Sequence, residues 1–208
     1  MGESARQTLI LRGIRLSYVT IAYNTLEAIV SLISGVMAGS VALVGFGVDS
    51  AIEVTASGAA QWRLRSDSSE VRRGRAELTT LRIVGGCFIA LAVYVVADSA
   101  RTIWLREEPD SSISGIVVLI MSIVVMPLLA RSKRRVADQL GSGALRAEAK
   151  QTSLCAYLSI IALSGVLLNA LLGWWWADPV AALAMTPIIF KEGLEGVRGA
   201  RCADDCCS

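Results

Sequence analysis

Apolar positions along the chain gather into long blocks, separated by short stretches of charged, glycine or turn-forming residues. Six blocks have the length, about 20 residues, that a helix rising about 1.5 Å per residue needs to cross a hydrocarbon layer of about 30 Å. They cover residues 16–38, 41–62, 80–104, 112–130, 147–172 and 176–197. Membrane-spanning strands would instead show many segments of about 10 residues with polar alternation, and none compete here. The pattern predicts an all-α, polytopic membrane protein of six transmembrane helices. Asp178 and Pro179 read as the N-cap and first residue of the sixth.

Charge in the connections orients the spans. Arginine and lysine collect before the first block (Arg6, Arg12, Arg15), over 63–75 (Arg63, Arg65, Arg72, Arg73, Arg75), over 131–146 (Arg131, Lys133, Arg134, Arg135, Arg146) and at Arg198 and Arg201. The opposite connections are acidic (REEPDSS, after the third block) or lack Lys and Arg, around Gly39 and Trp174–Trp176. Positive charge stays on the cytoplasmic side, so both termini are expected in the cytoplasm, in a cell (inner or plasma) membrane, with the tryptophans at the outer interface. The basic residues then read as topology signals on solvated loops rather than as a lipid-binding surface.

Composition narrows the function. Of the 208 residues, 54% are hydrophobic and 18% charged, with a net charge of +2, which gives no nucleic-acid-binding character. There is no histidine. Histidine-based acid–base catalysis, catalytic triads and imidazole metal sites are therefore excluded, and neither a GxSxG elbow nor an HExxH pair occurs, so an enzyme is not expected. Five cysteines (Cys87, Cys155, Cys202, Cys206, Cys207) are odd in number and irregular in spacing, unlike a disulfide framework. The N-terminus has no signal-peptide pattern.

Polar residues inside the blocks need a reason, because each costs a few kcal/mol in a bilayer core. Asp49 and Glu53 stand four residues apart in the second block, and Gln151 and Cys155 repeat that spacing in the fifth. Each pair falls on one helix face, and two facing pairs would make a four-coordinate site suited to Zn²⁺ or a similar dication. Asn24 and Glu27 lie in the first block. Counting twelve residues each way from the turn at Gly39 puts Glu27 level with the Asp49–Glu53 pair. No Lys or Arg accompanies the acids at that depth in the first two blocks. Plainer readings stay open: Gln151 and Asn24 as interhelical hydrogen bonders, Cys155 as a small core residue. Cys87, beside Gly85–Gly86, reads as packing, and the glycines permit a close helix approach that could serve a dimer. Cys202, Asp204, Asp205, Cys206 and Cys207, in the tail 201–208, offer loose capture of soft metals, or else an unfolded or palmitoylated end.

The stretch from Gly39 through Asp49 to Glu53 resembles the second span of the cation diffusion facilitator family, with its glycine–serine turn and ligand pair. Leu145 to Cys155 resembles the fifth span, and Asp178–Pro179 the opening of the sixth. The resemblance covers essentially the whole chain. It implies a cation-efflux transmembrane bundle that exports divalent metal, zinc above all and cadmium or other thiophilic ions through the thiol, in exchange for protons and as a homodimer. The ion would be the cargo, with no resident cofactor. Metal ligands implied are Asp49, Glu53, Gln151 and Cys155, with Asn24 and Glu27 auxiliary. With no imidazole, the protons would rest on Asp49, Glu53 or Cys155. Where the family usually carries His and Asp, this sequence has Gln151 and Cys155, and Glu53 replaces an aspartate. The family's cytosolic C-terminal domain has no counterpart after the sixth block. These departures also fit a membrane metal receptor or assembly subunit that does not transport.

Overall fold

The computed structural model describes residues 3–65, 70–141 and 143–198. They form α1 (Glu3–Ala38), α2 (Val41–Arg65), α3 (Glu70–Leu105), α4 (Ile113–Leu140), α5 (Gly143–Leu172) and α6 (Ala177–Arg198), with no strand among the described residues. Helices α1, α2, α4 and α5 pack around one axis, and α3 lies along α6 beside them. The expected blocks are all helical, and several helices run past them. α1 begins well before residue 16, α3 begins ten residues before residue 80, and α4 runs ten residues beyond 130.

Five of the helices are long and apolar enough to cross a membrane. This qualifies the expectation of six spans. α6 forms where the sixth was predicted, but Asp178, Lys191, Glu192 and Glu195 dilute its apolar length. At 22 residues it still extends about 33 Å.

The faces are inverted relative to a water-soluble bundle. On α1, Ser17, Thr20, Asn24, Glu27, Ser31 and Ser34 recur every three or four residues, and all are buried. Leu26, Ile29, Ile33, Val36 and Met37 of the same helix are exposed. Lipid is the solvent that makes this arrangement favourable: apolar side chains face out without cost, while polar groups find partners inside. Phe46, Phe88, Leu119, Met126 and Met185 fill the core between the polar seams.

Two devices set the geometry. Gly39, at φ +66°, ends α1 in the left-handed region that glycine adopts without a Cβ penalty. Ser40 then caps α2, its hydroxyl accepting from the Leu43 N–H at 3.1 Å. Between α3 and α6, Gly85 and Gly193 bring the backbones together. A Cβ on Gly85 would stand 2.6 Å from the Gly193 carbonyl oxygen, while one on Gly86 would meet nothing. The close approach anticipated at these glycines is thus used within the chain by Gly85, while Gly86 faces outward. Cys87 is exposed on α3 rather than packed.

Asp178 differs from its expected role. α6 already begins at Ala177, and the buried Asp178 carboxylate turns to the neighbouring helix. It accepts from Ser40 Oγ at 2.6 Å, from the Val41 N–H at 2.8 Å and from the Ala42 N–H at 3.4 Å. It therefore caps α2 from outside, where unsatisfied N–H groups and the helix dipole favour a negative charge. Nearby, Asp110 N–H donates to the Ala38 carbonyl and Asn169 Nδ2 to the Pro109 carbonyl. These bonds gather three connections at one end of the bundle. Trp174 and Trp176 stack there, ring centroids 5.2 Å apart.

Candidate metal centre

Helix periodicity places the central residues. Asp49 and Glu53 lie one turn apart on the buried side of α2, and Cys155 is fully buried on the facing side of α5. One oxygen of each acid and the Cys155 Sγ lie within 4.8 Å of one another. In a tetrahedral zinc site, bonds of about 2.0–2.3 Å put neighbouring ligand atoms roughly 3.5 Å apart.

α1 supplies the third wall. Asn24 Nδ2 donates to Glu53 Oε2 at 2.8 Å, fixing that carboxylate. Glu27 Oε2 accepts from Ser50 Oγ at 2.9 Å and from the Cys155 thiol at 3.7 Å. Glu27 thus stands level with the α2 pair, at the depth that counting from the turn predicts. Gln151 is half-buried one turn earlier on α5, on the side that carries Cys155. The tail residues Cys202, Asp204, Asp205, Cys206 and Cys207 lie outside the described residues.

Hydrogen bonding around this point is incomplete. Asp49 Oδ2, Glu27 Oε1, Asn24 Oδ1 and the Tyr23 hydroxyl are buried with no hydrogen-bond partner among the described residues. A buried polar atom left unpaired costs about 1–3 kcal/mol, so four oxygens in one region call for a compensating group. No ion pair reaches Asp49 or Glu53 among the described residues; Glu53's direct bond is to the neutral Asn24. Oxygens from carboxylate, amide and phenol, beside one thiol, form a set that a cation satisfies and an anion does not.

Two charged residues that sequence reasoning passed over belong here. Glu192, on α6, is buried and close enough to Asp49 to repel it. Lys133, on α4, was read as a topology signal on a solvated loop. It is 1% exposed, because α4 continues to Leu140 and turns it inward. Its charge reaches Glu53 through space, so a cation does lie near this depth, delivered by α4 rather than by α1 or α2. Its direct partner is Glu148 on α5, at 3.2 Å. The signal was present: buried Leu119, Ser122, Met126 and Leu129 continue at helical spacing through Lys133 to Val136 and Ala137.

Comparison with known proteins gives an independent view. The family model of the cation efflux transmembrane domain matches residues 17–200. Magnetosome protein MamB of Paramagnetospirillum magneticum (strain AMB-1) is 26% identical over 167 residues, which are 77% of this chain and 56% of that protein. Transmembrane protein 163 of Xenopus laevis is 23% identical over 185 residues, 88% of this chain and 66% of that protein. The chain thus corresponds to about three-fifths of the length of these relatives.

Proposed function

The chain belongs to the cation efflux family, the cation diffusion facilitators, and from that premise we propose that it carries divalent metal cations across a membrane through the Asp49–Glu53–Cys155 cluster. One observation carries the reading: three ligand atoms from two helices meet in the buried interior, while oxygens of Tyr23, Asn24, Glu27 and Asp49 find no hydrogen-bond partner among the described residues. Two carboxylates balance the charge of a dication. The thiolate adds a soft donor, which favours Zn²⁺ and Cd²⁺ over Mg²⁺ and Mn²⁺. Glu27 and Asn24 hold the ligands in place, as outer-shell groups do at metal sites. Gln151 supplies a fourth donor by rotation of its side chain, a weaker one than an imidazole.

The finer reading is export of zinc from the cytosol against protons, by a homodimer in a cell membrane with both termini cytoplasmic. It rests on family membership, the donor set and the charge of the connections. Metal binding needs deprotonated ligands, so the ion and the protons compete for the same atoms, and one leaves as the other arrives. The close α3–α6 seam is already filled within the chain, so a second copy would pair elsewhere on the exposed apolar faces.

The test is flux. Purified protein in liposomes loaded with a zinc-sensitive dye is expected to pass Zn²⁺ down its gradient and to move protons the other way. Asp49→Ala with Glu53→Ala should abolish both. Undiminished flux in that double variant would overturn the site, and binding without flux in the parent would identify a receptor instead.

A further inference from the structure

The contact between Lys133 and Glu148 lies outside the Asp49–Glu53–Cys155 cluster, yet it is built into the same bundle. Lys133 is the single buried base among the described residues. Its Nζ lies 3.2 Å from Glu148 Oε2 and 3.4 Å from Thr152 Oγ1. Ser17 Oγ, from α1, donates to the same Glu148 oxygen at 2.9 Å. One carboxylate therefore ties α1, α4 and α5 together. Its level follows from two helices: Ser17 precedes Asn24 by seven residues, and Glu148 precedes Cys155 by seven. On both α1 and α5 the backbone of Ser17 and Glu148 stands about 10 Å from that of Asn24 and Cys155, toward the end of the bundle where α4 and α5 join, and Thr152, the ammonium's other partner, lies between, three residues before Cys155.

Burying an ammonium costs several kcal/mol, and breaking such a pair costs more than replacing it with apolar side chains. Packing alone would be served by leucine. Here the ammonium also stands between a dication site and one end of the bundle, where its charge opposes an approaching cation. The Glu148 side chain is 20% exposed, that of Lys133 2%, and Cys155 beyond it 0%.

We propose that the Lys133–Glu148–Ser17 contact is a latch that shuts the metal centre off from the end of the bundle where α4 and α5 join. A cation reaching the centre from that end must part the ammonium from its carboxylate. The inference rests on the transport reading, but its test does not depend on flux.

Cys155 is the reporter, since it lies behind the latch. The full chain, with Cys87, Cys202, Cys206 and Cys207 replaced by serine, is placed in membrane vesicles of known sidedness. A membrane-impermeant cationic methanethiosulfonate is added to either side, and modification of Cys155 is followed by mass. The parent is expected to react slowly from the α4–α5 side. Lys133→Met and Glu148→Gln should raise that rate tenfold or more, leaving the rate from the other side unchanged. Lys133→Glu should do the same through like-charge repulsion, and the swap Lys133→Glu with Glu148→Lys should restore protection. Equal rates in parent and single variants, or a swap no better protected than Lys133→Glu alone, would overturn the latch. Glu148→Gln preserves shape and carries the test if Lys133→Met does not reach the membrane. A chain that labels as expected but passes no metal keeps the latch and loses the transport reading.

Discussion

At the scale of single residues, the candidate metal centre is marked by atoms that have few partners among the described residues. Asp49 Oδ2 accepts no hydrogen bond from the described residues, and Glu53 accepts one from the Asn24 amide. Asp49→Asn and Glu53→Gln each remove a charge that the ion needs. Zinc affinity measured by calorimetry in detergent should fall by more than the about 10–100-fold of an outer-shell change, and Asn24→Ala should fall within that range. Cys155→Ser exchanges a soft donor for a hard one, so Cd²⁺ binding should weaken far more than Mn²⁺ binding; an equal loss for both would remove the thiol from the ligand set. That Asp49, Glu53 and Cys155 meet was legible in the sequence because an i,i+4 spacing puts two polar groups on one helix face, although Cys155 alone reads as a small core residue. Lys133 and Glu192 were not. Each sits among other charged residues at a helix end, where composition reads as solvated loop, and only the rotational phase of the helix separates Lys133 from the exposed Arg131, Arg134 and Arg135.

At the scale of elements, each helix reads as a stripe rather than as a hydrophobic average. The α1 stripe from Ser17 to Ser34 spans about 25 Å of buried polar side chain. Only Asn24 and Glu27 in it stood out from sequence, because serine and threonine are unremarkable inside membrane helices, where their hydroxyls often bond the preceding turn. Helix existence was legible throughout and helix ends were not: apolarity stops at the membrane surface, whereas the backbone hydrogen bonds of α3 and α4 continue beyond it. Which face of α3 meets α6 was also out of reach, since Gly85 and Gly86 are the same residue type about 100° apart around the helix. The structure separates them. Gly85→Ala should destabilise the protein by about 1–3 kcal/mol through overpacking, lowering its unfolding temperature in detergent, while Gly86→Ala should leave that temperature unchanged or slightly raised.

At the scale of the whole molecule, the even number of helices puts the chain's two ends at one end of the bundle, with the basic connections. Reporter proteins fused to the N-terminus and to the C-terminus should report the same compartment, and opposite compartments would mean that α6 lies along the membrane instead of through it. The six-block pattern sufficed for this arrangement because connections are short and neighbours antiparallel. It did not disclose that Asp178 serves α2. A carboxylate just before Pro179 satisfies the rules for a local cap, and nothing local says that it bonds residues 137 positions away. Asp178→Ala should cost about 1–3 kcal/mol, seen as a lower unfolding temperature, because Val41 and Ala42 lose a buried acceptor.

That bond has a mechanical consequence. α2 bears both acids of the candidate ion site, and its first turn is fastened to α6, which is itself interlocked with α3 at Gly85 and Gly193. α2 and α6 behave at that end like the joined arms of a pair of tweezers, whereas α3 is clasped to α6 sixteen residues beyond Ala177, near the other end. Any change in the angle between α2 and α6 is smallest at the pivot and grows along the arms, so the jaws that widen are at the far end, where α4 and α5 meet.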